Sequence, residues 1–473
     1  VNLITSAAQA LSMNRIIPLI LAVALFMEQM DSTVIATALP TIAQDLNVGP
    51  ITLKLALTSY MVALAIFIPI SGWMADKFGA KTIFRLAIGV FMVGSLFCAA
   101  SGSLAEFVLS RFLQGMGGAM MTPVGRLVLL RTTDRKELVS AMALLTIPAL
   151  LGPLTGPPVG GFITTYFSWH WIFLINIPIG VAGIVLSSIY LPVIETTNPP
   201  AMDVKGFILS SVAASGVVFG VSVISLPALP PTIGIASILT GIVAGVLYVI
   251  HARRHPAPIL DFKIFQNTTF RITSVSGTIF RISTGAIPFL MPLMLQIGFG
   301  LNAFQSGMVT FAGAIGAITT KFIAKRMFAA TGFKTTLIVA SVVGAFTTAA
   351  NALFVPETPH AIIISVLVVS GFARSFFFTG SNALSYSEID NNQASQATSM
   401  SSVLQQISLA LGVAFAATIL EVSAALTGSH LQLADFHLAF VIVAAFSLLA
   451  LIPLFRLDKN AGEAISGHRP KIR

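Results

Sequence analysis

Charge is what this chain has least of. Asp, Glu, Lys and Arg make up 9% of its 473 residues, against about a quarter in soluble domains, so there is too little polar surface to keep a folded chain of this length in water. Cysteine is all but missing. Cys98 stands alone inside an apolar run, which excludes a disulfide or a cysteine-based metal site within the chain and says nothing about redox compartment. The seven histidines are scattered, mostly near expected loops, and no HExxH, GxxxxGKS or GxxxxGKT stretch occurs. Metal-assisted hydrolysis and P-loop nucleotide chemistry have no residues to rest on. The chain is therefore read as no enzyme, with no metal site and no organic cofactor.

What it has is apolar length. Hydrophobic residues reach 56% and the mean hydropathy is +0.92. The apolar runs are about 20 residues long, the reach of a helix across ~30 Å of hydrocarbon, and they lack the alternation of ~10-residue barrel strands. An all-α, multi-pass membrane protein follows, with the lipid bilayer as its partner. Hydropathy marks fourteen candidate spans, roughly 16–40, 53–75, 82–101, 107–130, 138–163, 172–192, 204–225, 232–251, 272–297, 305–328, 335–355, 361–386, 398–426 and 437–456. The first run holds Glu28 and Asp31 and lacks a small-residue cleavage site, so it is expected to be a span and not a cleaved leader. Met13, Asn14 and Arg15 stand just ahead of it, and residues 1–12 are assigned no role.

The net charge of +9 is explained by where the charges sit. With the N-terminus inside, 21 of the 26 Lys and Arg fall on that face, one, Lys54, falls on the other, and four, Arg111, Arg126, Arg281 and Arg374, fall within spans. That asymmetry is the positive-inside pattern, which places both termini in the cytoplasm. It is a topology signal and gives no reason to expect a nucleic-acid partner.

Short connections join most spans, and the longest charged one, 252–271, reads as a cytoplasmic linker between two bundles. Gly79-Ala80-Lys81 after the second span is echoed by Gly332-Phe333-Lys334 after the tenth, which suggests two halves. The expected organisation is a cytoplasmic segment 1–15, a six-helix bundle 16–192, an inserted helix pair 204–251, the linker 252–271, a second six-helix bundle 272–456 and a cytoplasmic tail 457–473.

Several residues stand out against this apolar background. Gly152-Pro153-Leu-Thr-Gly156-Pro157-Pro-Val-Gly160-Gly161 removes backbone donors and side-chain bulk at membrane depth. Lipid tolerates that where helices pack close or line a cavity, so the segment is expected to bend against a partner helix and serve conformational change. The loop after the second span, Gly72-Trp-Met-Ala-Asp76-Lys77-Phe-Gly79-Ala80-Lys81, reads as a tight turn. Its Asp76 is placed to meet a neighbouring helix N-terminus and latch one face shut. Asp31, about nine residues or ~13 Å from the outer end of its span, must find a partner or neutralise, and Glu28 shares its helix face. Both are candidates for proton coupling, with a structural ion pair as the other reading. Arg126, Arg281 and Arg374 cannot deprotonate and need water, a carboxylate or a ligand. An anionic substrate could collect them; otherwise Arg126 snorkels and the other two pair with Glu28 or Asp31. Met120, Met121, Phe376, Phe377 and Phe378 beside the arginines, together with Gln405 and Gln406, are candidate cavity wall, with helix packing as the alternative. Glu421 is expected at the interface, and the Asn267-Thr-Thr269 sequon falls on the inner face and is set aside.

At this point the residues resemble a known family. The loop pattern GxxADxxGxK is similar to the signature of the major facilitator superfamily. Arg111-Phe-Leu-Gln114-Gly115-Met-Gly117-Gly118-Ala119 resembles its fourth-helix RxxQGxGGA pattern, and the Gly152–Gly161 stretch its fifth-helix antiporter motif. Asp31-Ser-Thr33-Val34-Ile35-Ala36-Thr-Ala38-Leu39-Pro40 and Trp169-His170-Trp171-Ile-Phe173-Leu-Ile-Asn176-Ile-Pro178-Ile-Gly180 resemble the first- and sixth-helix signatures of the fourteen-helix drug–proton antiporter branch, the EmrB/QacA-like exporters. Ala36, Ala80 and His170 depart from those patterns, standing where Asn, a second basic residue and Arg are usual. The resemblance implies the major facilitator fold of two six-helix bundles plus two inserted helices, and an Arg111 that faces the first helix and assists proton coupling. It also implies an inner-membrane exporter working by alternating access, exchanging a drug-like or metabolite small molecule for protons and drawing only on the proton gradient. Accessory efflux subunits are compatible partners. The embedded arginines keep open a dedicated exporter of an anionic metabolite, such as a carboxylate siderophore or organic acid. A non-transporting sensor or partner-binding subunit would need an extramembrane domain, and the longest loop is about 20 residues.

Overall fold

The computed structural model describes residues 2–463 apart from 134–137, 195, 197–198, 200, 225, 227–228, 390–392 and 429–430, with side chains undescribed at 2–15, 138–143, 146–150, 321 and 394–395. The described residues are almost wholly helical. The main helices are α1 Asn2–Val34, α2 Lys54–Phe78, α3 Ala80–Ala100, α4 Leu104–Thr132, α5 Leu138–Tyr166, α6 Asn176–Tyr190, α7 Val204–Val223, α8 Pro231–Arg254, α9 Thr268–Leu293, α10 Ala303–Ala350, α11 His360–Tyr386, α12 Ala394–Thr427 and α13 Leu433–Leu448. Short helices extend or join them: Leu39–Asp45, Trp171–Leu174 ahead of α6, and Leu451–Phe455 after α13. α10 is two arms around a kink at Gly332, whose φ of 73° belongs to the region glycine enters without strain.

Eleven of the described helical segments are long and apolar enough to cross a membrane. α4, α5 and residues 303–321 of α10, which fall in the fourth, fifth and tenth expected spans, are not among those eleven, and α5 and α10 contain side chains outside the described residues. α4 explains why a composition measure passes it over: Arg111, Gln114, Arg126 and four glycines dilute its hydropathy, yet most of these residues are buried by neighbouring helices.

Local rules set the helix ends. Ser103 caps α4 by accepting from Glu106 N, and the Glu106 carboxylate accepts from Gly102 N. Asn302 and Gln305 form a reciprocal capping box at the start of α10. The glycine–lysine echo has a structural counterpart in both halves. Gly79 turns at φ 88° and Lys81 Nζ donates to Ser188 O at 2.9 Å and Leu191 O at 2.6 Å, at the end of α6. Gly332 turns at φ 73° and Lys334 Nζ donates to Phe455 O and Leu457 O at 2.8 and 2.7 Å, at the end of the last helix. In each half a lysine therefore ties a turn to otherwise unsatisfied carbonyls at a helix C-terminus. Gly72 is not part of that turn. It lies inside α2, exposed, with open space where a side chain would be, so the sequence reading of it as a turn glycine is corrected.

Packing divides the molecule by face. Where α1 ends and α2 begins, one apolar core runs through both halves, from Val34, Leu39 and Phe107 to Phe289, Leu293 and Phe436. Towards the opposite face the larger cores separate by half, and a smaller cluster through Ala65, Tyr248, Phe270 and Met400 bridges them. Leu21, Phe84 and Met121 belong to one in the first half; Phe280, Phe328 and Leu337 belong to another in the second. The segment after α8 folds back onto this frame: Tyr248 Oη donates to Leu260 O and accepts from Leu260 N, and Gln396 of α12 accepts from Asp261 N at 3.1 Å.

Candidate functional site

Close approach between α2, α3 and α4 is made by absent side chains. A Cβ on Gly94 would sit 2.6 Å from Gln114 Cα, one on Gly115 2.6 Å from Tyr60 O, and one on Gly117 2.5 Å from Phe91 N. The RxxQGxGGA stretch is thereby held against two neighbours, and its polar members point inward.

Asp31 of α1 is 1% exposed and receives three donors. Arg111 Nη1 lies 2.6 Å from Oδ2, while Gln114 Nε2 and Asn176 Nδ2 reach Oδ1 at 2.8 and 2.9 Å. Gln114 also donates to Ser95 Oγ at 2.8 Å, and Arg111 Nη1 donates to Gln114 Oε1. The Arg111 guanidinium lies over the Tyr60 ring, 4.2 Å from its centroid. Four helices, α1, α3, α4 and α6, thus meet in one buried polar knot, with α2 supplying the aromatic face. The knot is tight but incomplete: Arg111 Nε, Asn176 Oδ1 and Tyr60 Oη are buried without a hydrogen-bond partner. Three of the four lone-pair positions of the Asp31 carboxylate are thus occupied, and the remaining one is on Oδ2 beside Arg111.

Glu28, one turn earlier on α1, is 6% exposed and differs in kind. Thr122 Oγ1 donates to its Oε2 at 2.6 Å, and no cation lies within ion-pair distance among the described residues. Gly118 makes the room: a Cβ there would stand 3.6 Å from Glu28 Cγ and 3.0 Å from Tyr60 Oη. Arg126, one turn beyond Thr122, is exposed.

The other arginines are in the second half. Arg281 of α9 donates to Asn382 Oδ1 at 3.0 Å, and its guanidinium is 5.2 Å from the Phe378 ring centroid. Arg374 of α11 has a buried Nε without a hydrogen-bond partner, with Nη2 beside Gly313, where a Cβ would come within 3.2 Å. Among the described residues neither arginine has a carboxylate at ion-pair distance, so the expected internal pairing with Glu28 or Asp31 is corrected. The expected wall residues are only partly available. Met121 is 0% exposed within the first-half core and packs helices without lining a cavity, Met120 is nearly as buried, and Gln405 is exposed. Phe376 and Phe377 likewise belong to the second-half core.

Two further expectations are revised. Asp76 does not cap a helix N-terminus; it pairs with Arg131 near the end of α4 at 2.6 Å, both about one-third exposed. Glu421 is not a surface group. It is 9% exposed at the side chain and pairs at 2.6 Å with Lys54, which is fully buried, tying α12 to α2. The Gly–Pro stretch lies on the same side of the molecule. A Cβ on Gly152 would come 2.8 Å from Gln29 Cβ, one on Gly160 2.7 Å from Val34 Cγ2, and one on Gly161 2.7 Å from Phe304 Cα. Gly156 likewise abuts Thr33, and Gly307 abuts the backbone of Pro157, with Pro153 half-buried beside them. α5 is thus wedged between α1 of its own half and α10 of the other, as one continuous helix. Gln296 Nε2 donating to Thr37 O and Phe304 N donating to Thr165 Oγ1, both at 3.0 Å, complete this seam.

Sequence reasoning found Asp31, Arg111 and their proximity, but not the roles of Ser95, Asn176 and Tyr60. Asn176 inside an apolar run was the available signal.

Comparison with known proteins agrees with this architecture. The Major Facilitator Superfamily profile matches residues 21–413 and 273–472. Proteins described as putative multidrug resistance protein MdtD, from Escherichia coli and from Shigella boydii, are 35% identical over 401 residues, covering 85% of this chain and 85% of theirs. Among solved structures, a peptide transporter in complex with sulfate superposes with a TM-score of 0.70 at 13% identity, covering 95% of this chain and 96% of that one. A D-xylose–proton symporter gives 0.68 at 14% identity, covering 94% and 98%. Such transporters are not enzymes and need no cofactor. By fold, profile and relatives, this chain belongs to the major facilitator superfamily of multi-pass membrane transporters.

Proposed function

We propose that this transporter is a proton-coupled exporter of drug-like or metabolite small molecules, working by alternating access across the inner membrane. The observation that carries the reading is the unequal carboxylate pair on α1: Asp31 held by Arg111, Gln114 and Asn176, and Glu28 held by Thr122 alone. In this mechanism Glu28 exchanges protons with the cavity, while a proton at Asp31 releases Arg111 and loosens α1 from α4 and α6. Substrate and proton then compete for the same helix, which is what exchange requires. A 100 mV potential supplies about 2.3 kcal/mol per charge and each pH unit about 1.4 kcal/mol, enough for uphill export.

Packing supports the cycle. The seam around Lys54–Glu421 and α5 closes one face, while towards the other the larger cores are separate and a smaller cluster through Ala65, Phe270 and Met400 joins the halves. The basic residues concentrate on that second face, so we assign it to the cytoplasm, with both termini, and read the conformation as closed outward. α4, α5 and the first arm of α10 are taken as spans on their packing, giving fourteen, with bundles at 16–192 and 272–456, the pair 204–251 and the linker 252–271. Asp76, Gly79 and Lys81 with the Gly152–Gly161 stretch are assigned to the conformational change.

The second reading, a dedicated exporter of an anionic metabolite, is favoured by Arg281 and Arg374, which lack carboxylate partners among the described residues. Proteoliposomes under an imposed pH gradient test both, with panels of anionic and cationic compounds. Glu28→Gln and Asp31→Asn are expected to abolish uphill transport while retaining substrate binding. Full uphill transport by both variants refutes the coupling assignment, and unchanged anion affinity in Arg374→Ala refutes the anionic reading.

A further inference from the structure

Away from the buried knot, three ligand-bearing side chains meet at the end of the inserted helix pair that adjoins the linker. Asp203 is the N-cap of α7, and His251 and His255 follow one another by a turn at the end of α8. His251 Nε2 lies 2.7 Å from Asp203 Oδ1 and His255 Nδ1 lies 4.0 Å from Oδ2, with the two rings 5.2 Å apart. One donor atom from each residue falls within 4.8 Å of the others.

The independent observation is Asp203 itself. The residue is 4% exposed, and its Oδ2 is buried with no hydrogen-bond partner. Its Oδ1 already accepts from Gly206 N at 2.8 Å. A buried carboxylate oxygen that faces an imidazole without a bond to it carries a desolvation cost, which a cation at that point would offset.

We propose that Asp203, His251 and His255 bind one transition-metal dication of the zinc class. Two imidazoles and one carboxylate suit such ions better than magnesium or calcium, which favour all-oxygen sites. Bonds of about 2.0–2.2 Å to a tetrahedral ion place neighbouring ligand atoms about 3.4 Å apart. That spacing lies between the 2.7 and 4.0 Å separations of the two imidazoles from Asp203, and the two imidazole nitrogens lie within 4.8 Å of each other, so the three ligands need shifts of only about 1 Å to close on an ion. His255 Nδ1 gives up a 3.3 Å bond from Ala257 N to do so. The Gly206 N–H remains as the outer contact that orients the carboxylate. Three protein ligands leave a fourth position for water, reached past His255, whose side chain is 30% exposed. Because α7 packs on α2 through Phe207 and Phe67 and on both halves through Val218, Val62 and Ala410, a metal here would fasten α7 to α8 as one strut across the two bundles. This inference is independent of the transport reading.

The test uses the full chain in detergent without a polyhistidine tag, stripped with chelator, and titrated with Zn2+ alone by calorimetry and with Co2+ by visible absorption. One saturable site per chain is expected, with an absorption band of nitrogen and oxygen ligation. His251→Gln and Asp203→Asn are expected to weaken Zn2+ binding at least tenfold. Asn keeps an N-cap oxygen, so the second variant retains the helix start. His437→Gln, elsewhere in the chain, should bind as the parent does. Zn2+ should raise the melting temperature of the parent and not that of His251→Gln, which also reports that the variant is folded. No saturable binding by the parent, or equal binding by both site variants, overturns the proposal and leaves the cluster as a histidine–aspartate ion pair that caps α7.

Discussion

Glu421→Gln is the sharpest test of whether the Lys54–Glu421 pair latches the seam. Lys54 is fully buried and lies 2.6 Å from Glu421, so the substitution leaves an ammonium facing a neutral amide while keeping the shape of the contact. Breaking one side of a buried pair costs about 3–5 kcal/mol. The amide oxygen still accepts a hydrogen bond, so the net penalty is about 2–3 kcal/mol. Opening the seam hydrates Lys54 and relieves that penalty, so the substitution shifts the closed–open equilibrium about 30- to 150-fold towards open. The assay is alkylation by a membrane-impermeant maleimide at Ser306→Cys, a residue that is 0% exposed beside the Gly307–Pro157 contact, in a Cys98→Ala background. Glu421→Gln should raise the labelling rate by that factor, and Lys54→Met with Glu421→Leu should restore slow labelling, because apolar replacement of a buried pair is close to neutral. Labelling of Glu421→Gln at the parent rate refutes the assignment of this pair as a latch.

Other consequences follow from the same packing. Asp31→Asn leaves Arg111 without its carboxylate in a site 1% exposed, so it should lower stability by about 3–5 kcal/mol; Arg111→Met in the same chain should recover most of that loss in a thermal-unfolding cycle. Gly156→Val should abolish transport because it drives a side chain into Thr33, whereas Gly72→Ala should be tolerated and gain up to about 1 kcal/mol in helix propensity, since nothing lies within 4 Å of its missing side chain. Gly79→Ala should cost about 1–3 kcal/mol, read as a lower melting temperature, because its φ of 88° is strained for any side chain. Collapse of the proton gradient by a protonophore should stop export from vesicles; undiminished export would refute proton coupling.

What could be read from the residues alone followed from one-dimensional properties. Span length and charge placement gave helices, an expected orientation and an expected division into halves, because a bilayer sorts apolar and basic segments by their order along the chain. Depth along a span placed Asp31 and Arg111 at similar levels, and the glycine-rich runs announced close contacts without naming the partner.

Which surfaces meet was decided by tertiary structure, because a helix face is satisfied only by what packs against it. Asn176 and Ser95 complete the Asp31 knot from α6 and α3, and neither position along the chain reveals that convergence. Lys54 and Glu421 read separately as a stray loop charge and an interface carboxylate, yet they lie 367 positions apart in the chain and form one buried pair. The sequence by itself determined that this chain crosses a membrane many times and carries charge inside it. Only the fold decided which charges neutralise each other, because in low dielectric the energy of an ion depends on the few ångströms to its partner and not on its place in the sequence.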